Sequence, residues 1–287
     1  MSPSLHPARW SSGFARPRLE APIGATDCHH HIYDSRFPAA PLGRLSHGDA
    51  LVEDYLALAT RLGIERHVVV QPSLYGADNR LLLQSLKRFG DKARGIAVIE
   101  PDAPEQLLRD LDAGHVRGVR INAKLPGGPG LETMESLAAR IAPLGWHLQL
   151  AIDPALIPDL EGKIVRLPCP VVFDHVAYLR GQQGLAHPAF AVLARLLETG
   201  NIWLKLSAPY IGCEEEHPAY PSAAMVGRAF VKIAPERMLW GSDWPHPTIG
   251  DVKPDGAALF DLVAAFTPEA AMQGRLLADN PRDLYGF

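Results

Sequence analysis

Short apolar runs alternate along the chain with stretches whose apolar residues recur at helical spacing. The runs are Ala25 to His29, His67 to Val70, Arg94 to Ile99, Gly118 to Ile121, His147 to Ile152, Val171 to Asp174, Ile202 to Leu206 and Met238 to Trp240. Each is too short for a stable helix, and several stop at a polar residue followed by proline or glycine, as strands do at a loop. Helices are predicted over 49–62 with Asp49 as the cap, then 81–89, 105–113, 132–144, 155–165, 188–198 with Pro188 in its first turn, and 223–233. Two further helices, 256–266 and 268–278, close the chain.

Strand-then-helix alternation implies parallel pairing, because a parallel neighbour needs a crossover long enough to hold a helix. Eight such units in 287 residues match an α/β fold made of a single (β/α)8 TIM barrel. The alternative is an open doubly wound sheet, weakened because no Gly-rich dinucleotide fingerprint follows the first strand. Residues 1–24, rich in Pro, Ser and Arg, read as an N-terminal arm, and 25–287 as the barrel.

In such a barrel chemistry sits at the C-terminal strand ends. Strand 1 ends in Asp27-Cys28-His29-His30-His31, where His29 and His31 share a face and His30 looks the other way. Strand 6 ends in Asp174-His175, and strand 8 in Gly241-Ser242-Asp243-Trp244-Pro245-His246. Two imidazoles and a carboxylate suit a metal, or a reacting oxygen and the base that serves it. The bland alternatives are an exposed His-rich turn, a core histidine bonded to a carbonyl, and an aspartate that caps the next segment. Strand 2 adds Gln71, strand 3 Glu100, strand 4 Arg120 and Lys124, and strand 7 Lys205. Arg120 is either a carboxylate clamp or half of an ion pair with Glu100 or Asp153. Lys205 faces the pocket or sits in the barrel wall. The loop from Lys124 to Gly130 is too rich in Gly and Pro for regular structure and is expected to line or cover the pocket. The run Glu214-Glu215-Glu216 reads as a solvated loop face.

Composition narrows the partners. With 28 basic and 32 acidic residues the net charge is -4, which disfavours wholesale nucleic-acid binding. No apolar stretch is long enough to span a bilayer. Three widely spaced cysteines form neither a disulfide framework nor a CxxC zinc pattern, so a reducing cytoplasm is the expected location. The oligomer is expected to be a monomer or homodimer.

The motifs at strands 1, 6 and 8, together with Gly118-Val119-Arg120 and Asn280-Pro281-Arg282-Asp283, resemble the amidohydrolase superfamily, and within it the 2-pyrone-4,6-dicarboxylate lactonase branch. The resemblance implies a barrel hydrolase that opens a lactone, with His29, His31, His175 and Asp243 in the active site and Arg120 on a substrate carboxylate. Lys124, Gln71, Tyr178, Arg180 and His246 are the further substrate-binding candidates. A single zinc or manganese ion on His29, His31 and Asp243 is compatible with the resemblance, but no metal is expected to be obligatory. The departures concern the carboxylate clamp. Tyr178 stands where the branch carries an arginine, Ser207 to Ile211 holds no arginine, and Leu150-Ala151-Ile152 lacks the branch's substrate tyrosine. Arg180 is the candidate replacement. A metal-dependent decarboxylase, a lactone isomerase and an inactive ligand-binding barrel are the alternative functions.

Overall fold

The computed structural model describes residues 8–213 and 216–287. Glu214 and Glu215 of the acidic run, and residues 1–7 of the N-terminal segment, lie outside the described residues. Eight parallel strands form one sheet in chain order. They are β1 (Thr26–His30), β2 (Arg66–Val70), β3 (Ala93–Ala97), β4 (Val116–Asn122), β5 (His147–Ala151), β6 (Val171–Phe173), β7 (Ile202–Ser207) and β8 (Met238–Gly241). The helices between them are α1 (Val52–Leu62), α2 (Arg80–Phe89), α3 (Glu105–Ala113), α4 (Met134–Ile141), α5 (Ile157–Ile164), α6 (Gly181–Ala186), α7 (Pro188–Glu198) and α8 (Pro221–Ile233). The fold is a (β/α)8 barrel, as the alternation predicts.

The core has two parts, because strand residues alternate between faces. A small inner cluster fills the barrel with Cys28, Val68, Val70, Ile96, Val172 and Leu239. A much larger layer lies between the sheet and the helices. Tyr285, on the C-terminal helix Asn280–Tyr285, joins the inner cluster, and Arg94 donates to the carbonyls of Tyr285 and Gly286. The chain's end therefore closes one mouth of the barrel, and the strand ends face the other.

The first and last strands meet beyond their regular pairing. Asp243 N donates to His29 O and His31 N to Trp244 O, both at 2.8 Å. The Asp27 carboxylate is wholly buried at this seam. It accepts from the backbone N–H groups of His29 and Ser242, from Ser242 Oγ and from the Tyr55 hydroxyl. Burial pushes its pKa up to about 6 although these donors pull the other way. Gly241 is needed here: a Cβ would lie 2.6 Å from the Cβ of His29.

Some boundaries differ from the expected ones. Asp49 does not cap α1; its carboxylate accepts from Ser35 N, and the helix begins after Leu51, whose N–H is held by Asp54. The first closing helix is split into Gly256–Asp261 and Val263–Phe266, and the second begins at Ala270 and runs through a π turn at Arg275–Asp279 into Asn280–Tyr285, past its expected end. Residues 8–24 run along the barrel wall, tied by Trp10 to Asp49 O, by Ser11 to Arg61, and by Arg18 to Asp261.

Replacing Gly241 with alanine is expected to lower stability by about 1–3 kcal/mol through overpacking against His29. Equilibrium denaturant unfolding measures it, and an unchanged midpoint would contradict the close approach at this seam.

Candidate active site

The seam between β1 and β8 brings two distant sequence motifs within hydrogen-bonding range. His29 Nε2 lies 3.3 Å from His31 Nε2, and Asp243 Oδ1 lies 3.5 Å from each. His175 Nε2, from the end of β6, approaches the same carboxylate oxygen at 3.9 Å. All four side chains are buried. His30 turns the other way and stacks on Tyr55, with ring centroids 3.6 Å apart.

Each member is held from behind. His31 Nδ1 donates to Val70 O at 2.8 Å, and His175 Nδ1 pairs with Ser207 Oγ at 2.9 Å. The other carboxylate oxygen of Asp243 accepts from the Tyr210 hydroxyl at 2.7 Å, and that hydroxyl meets His246 Nδ1 at 2.9 Å. A tyrosine has one proton to donate, so when it goes to Asp243, His246 supplies the N–H to Tyr210. This fixes the carboxylate with Oδ1 toward the histidines.

Below lies a buried charged network. Lys205 is fully buried; its Nζ donates to Gln149 Oε1 at 2.6 Å and reaches His29 Nδ1 at 3.3 Å. Asp174 Oδ2 accepts from Arg120 Nε and from Gln149. Its Oδ1 lies 3.2 Å from His29 Nδ1 and 3.7 Å from Lys205. His29 therefore has two tautomers open to it. Donation from Lys205 to Nδ1 puts the ring proton on Nε2, facing the site; donation from Nδ1 to Asp174 leaves a lone pair there instead. His29 Nδ1 thus lies within reach of both the Asp174 carboxylate at 3.2 Å and the Lys205 ammonium at 3.3 Å.

Burial sets most of the local pKa values. It pushes His175 down to about 4 and Lys205 down to about 8, in each case against neighbouring carboxylates. Burial would raise Asp243, but His175, His31 and His29 outweigh it and hold the carboxyl well below its usual range. Asp174 is held low in the same way by His29, Arg120 and Lys205.

The strain is local. His175, Val176, Ala177 and Tyr178 all have positive φ, between 49° and 59°, and so does Asp243 at 57°. Left-handed backbone costs a residue with a side chain about 1–2 kcal/mol. The turn after β6 thus points His175 and Tyr178 into the cavity at a cost that the surrounding packing sustains.

Above the cluster lies a cavity of about 180 Å³. His31, His175, Asp243, Arg120, Lys124 and Tyr178 line it. The structure does not bring all the candidates there. Gln71 spends its amide on the carbonyls of Gly76 and Asp78, bracing a loop. The Arg180 guanidinium donates to the carbonyls of Leu179, Ala208 and Ile211, so it does not replace a missing clamp residue. His246 is wholly buried behind Tyr210. Arg120 pairs with Asp174 rather than with Glu100 or Asp153. Tyr210, Gln149 and Tyr33 were missed by sequence reasoning. Gln149 left a signal, a polar residue inside an apolar run; the other two left none.

Four of the donor separations, 3.3–3.9 Å, lie near the edge of a tetrahedral site, about 3.3–3.4 Å for bonds of 2.0–2.1 Å. His29, His175 and Asp243, whose ligand atoms lie within 4.8 Å of one another, could hold a single divalent ion, provided that His29 takes the tautomer in which its Nδ1 proton goes to Asp174.

The amidohydrolase family matches residues 26–287. The chain is 34% identical to 2-pyrone-4,6-dicarboxylate hydrolase of Comamonas testosteroni, over 96% of this chain and 94% of that one. It is 30% identical to D-galactarolactone isomerase of Agrobacterium fabrum, over 94% and 93% of the two chains. A solved structure from Agrobacterium tumefaciens superposes with a TM-score of 0.89 at 28% identity, covering 97% of this chain and 99% of that one. With its family match spanning the whole barrel, the chain belongs to the amidohydrolase family and is an enzyme.

Proposed function

We propose that the enzyme hydrolyses a lactone, with Asp243 as the general base. The observation that carries the reading is the placement of Asp243, with Oδ1 facing three imidazole Nε2 atoms at the cavity floor and Oδ2 tied to Tyr210. The hydrolase relative supports it. Asp243 Oδ1 takes a proton from water as the water oxygen bonds to the lactone carbonyl carbon. The tetrahedral oxyanion accepts a hydrogen bond from the cavity-lining His175 Nε2–H, in the tautomer whose Nδ1 accepts from Ser207 Oγ. Collapse breaks the bond to the ring oxygen, which receives the proton from Asp243. The new carboxylic acid loses its own proton to solvent, so each turnover releases one acid equivalent. Tyr210 and His246 act as positioning residues for Asp243.

A divalent ion on His29, His175 and Asp243 would lower the pKa of a bound water and polarise the carbonyl. In the tautomer that accepts from Lys205, His29 leaves no lone pair for such an ion. We take the imidazoles as the electrophile. An isomerase reading is supported by the galactarolactone relative, and it differs in releasing no net acid.

Replacing Asp243 with asparagine is expected to remove at least about 100-fold of kcat while the far-UV spectrum stays native. Tyr210→Phe is expected to lower kcat roughly tenfold or more with KM little changed, because it frees the carboxylate to rotate. Both are measured by proton release on a lactone panel. A normal rate for Asp243→Asn sinks the base assignment, and lactone interconversion without acid release favours the isomerase.

After dialysis against a chelator, with metal content checked by mass spectrometry, turnover is expected to persist. Loss of activity with recovery on added zinc or manganese would assign His29, His175 and Asp243 to an obligatory ion.

A further inference from the structure

We propose that the Tyr178 hydroxyl donates a second hydrogen bond to the oxyanion of the opening lactone, beside His175 Nε2–H. This deepens the lactonase reading and rests on it. His175 alone gives the oxyanion one donor, whereas a tetrahedral oxyanion in a buried site is usually held by two or more. The described residues that line the cavity and carry a hydroxyl are Tyr33, Ser73, Tyr178 and Thr248. Ser73 Oγ accepts from Asn122 Nδ2 at 2.9 Å, and Thr248 is exposed at the rim. The Tyr33 ring lies beside His31 and Tyr75, with centroids 6.3 Å and 6.2 Å away. The Tyr178 ring meets His175 edge to face, with centroids 5.5 Å apart.

Tyr178 follows His175 by three residues on the left-handed turn after β6. Both side chains leave that turn into the cavity, and Val176 and Ala177 between them are packed in the core. The two donors therefore share one rigid mount. The Tyr178 hydroxyl has no hydrogen-bond partner among the described residues, so its proton is free for a ligand. Lys124 Nζ lies 4.6 Å from the ring centre, and the Arg120 charge acts on the same phenol. This cationic patch polarises the ring and makes its O–H a stronger donor. The phenol still keeps its proton at neutral pH, because burial, Asp174 and Asp243 hold its pKa above the usual range against Arg120. It gives a hydrogen bond and no proton, so the proton balance of the hydrolysis is unchanged.

The test uses the purified full chain and its Tyr178→Phe variant, which keeps the ring that Lys124 covers. On a lactone that the unaltered enzyme opens, kcat is expected to fall at least about tenfold, toward the ~100-fold typical of one oxyanion donor, with KM little changed. A smaller fall in kcat, or a loss carried mainly by KM, overturns the proposal. Binding of two unreactive ligands is measured alongside by NMR titration. A five-membered cyclic phosphonate ester has phosphoryl oxygens that stand in for the oxyanion and the attacking oxygen. Pyrrolidinone has the planar carbonyl of the ground state. Tyr178→Phe is expected to weaken the phosphonate at least about tenfold and pyrrolidinone by less than about threefold. If no lactone is opened, the lactonase reading fails, and this selective loss still assigns the donor. A loss shared equally by both ligands, a smaller selective loss, or no binding of the phosphonate to the unaltered chain overturns it.

Discussion

The seam between β1 and β8 is the contact on which the site depends. His29 and His31 come from the start of the chain and Asp243 from near its end, and only barrel closure places them together. Two backbone hydrogen bonds cross the seam beside the histidines and Asp243, from Asp243 N to His29 O and from His31 N to Trp244 O. The geometry of the reacting groups is thus set by main-chain pairing rather than by flexible side chains. Asp27 completes the joint by accepting four hydrogen bonds from both strands and from α1. A buried carboxylate held by neutral donors is expensive, and its raised pKa is in line with donors that only partly offset the lost water.

The network under the site has the opposite character. Arg120, Asp174, Lys205, Gln149 and His29 are all buried and mutually bonded, so the charges are paired. Under the proposed function, its position would link substrate binding to catalysis. Arg120 faces the cavity and holds Asp174, and Asp174 competes with Lys205 for the same nitrogen of His29. An anion that draws charge from Arg120 weakens its hold on Asp174, and Asp174 then attracts the Nδ1 proton of His29 more strongly. Lys205 opposes that shift. The balance decides whether His29 offers a proton or a lone pair to the site, which is also the choice between metal-free and metal-bound chemistry on one set of ligands.

The fold was legible because its signal is repetitive. Eight apolar runs, each followed by a helix or a loop and a helix, have few topological solutions. Strand identities survived even where ends moved by a few residues, as at Val116 and Ser207. The helix cap at Asp49 misled because an aspartate before an apolar run is a good local signal, and here Ser35 took its carboxylate. The cluster of His29, His31, His175 and Asp243 was legible as strand-end polar groups. Its support was not. Tyr210 lies in a loop whose path no local pattern fixes. Gln71 and Arg180 looked like pocket residues from their place at strand ends, but loop carbonyls claim their donors.

The turn from His175 to Tyr178 illustrates what a sequence hides. Four successive left-handed residues would ordinarily call for glycine, and none is present. Local propensity therefore opposes this backbone, and tertiary packing imposes it. Val176 and Ala177 lie in the outer core, which anchors the middle of the turn and leaves its two ends, His175 and Tyr178, aimed at the cavity. A glycine would ease the backbone and at the same time let it relax elsewhere. The strained version has one accessible shape, and so the imidazole that faces Asp243 and the phenol that meets the cationic patch are held at a fixed separation. Under the proposed lactonase reading, substrate ring and reacting carbonyl would have to match that separation, which would make the turn a ruler for the substrate.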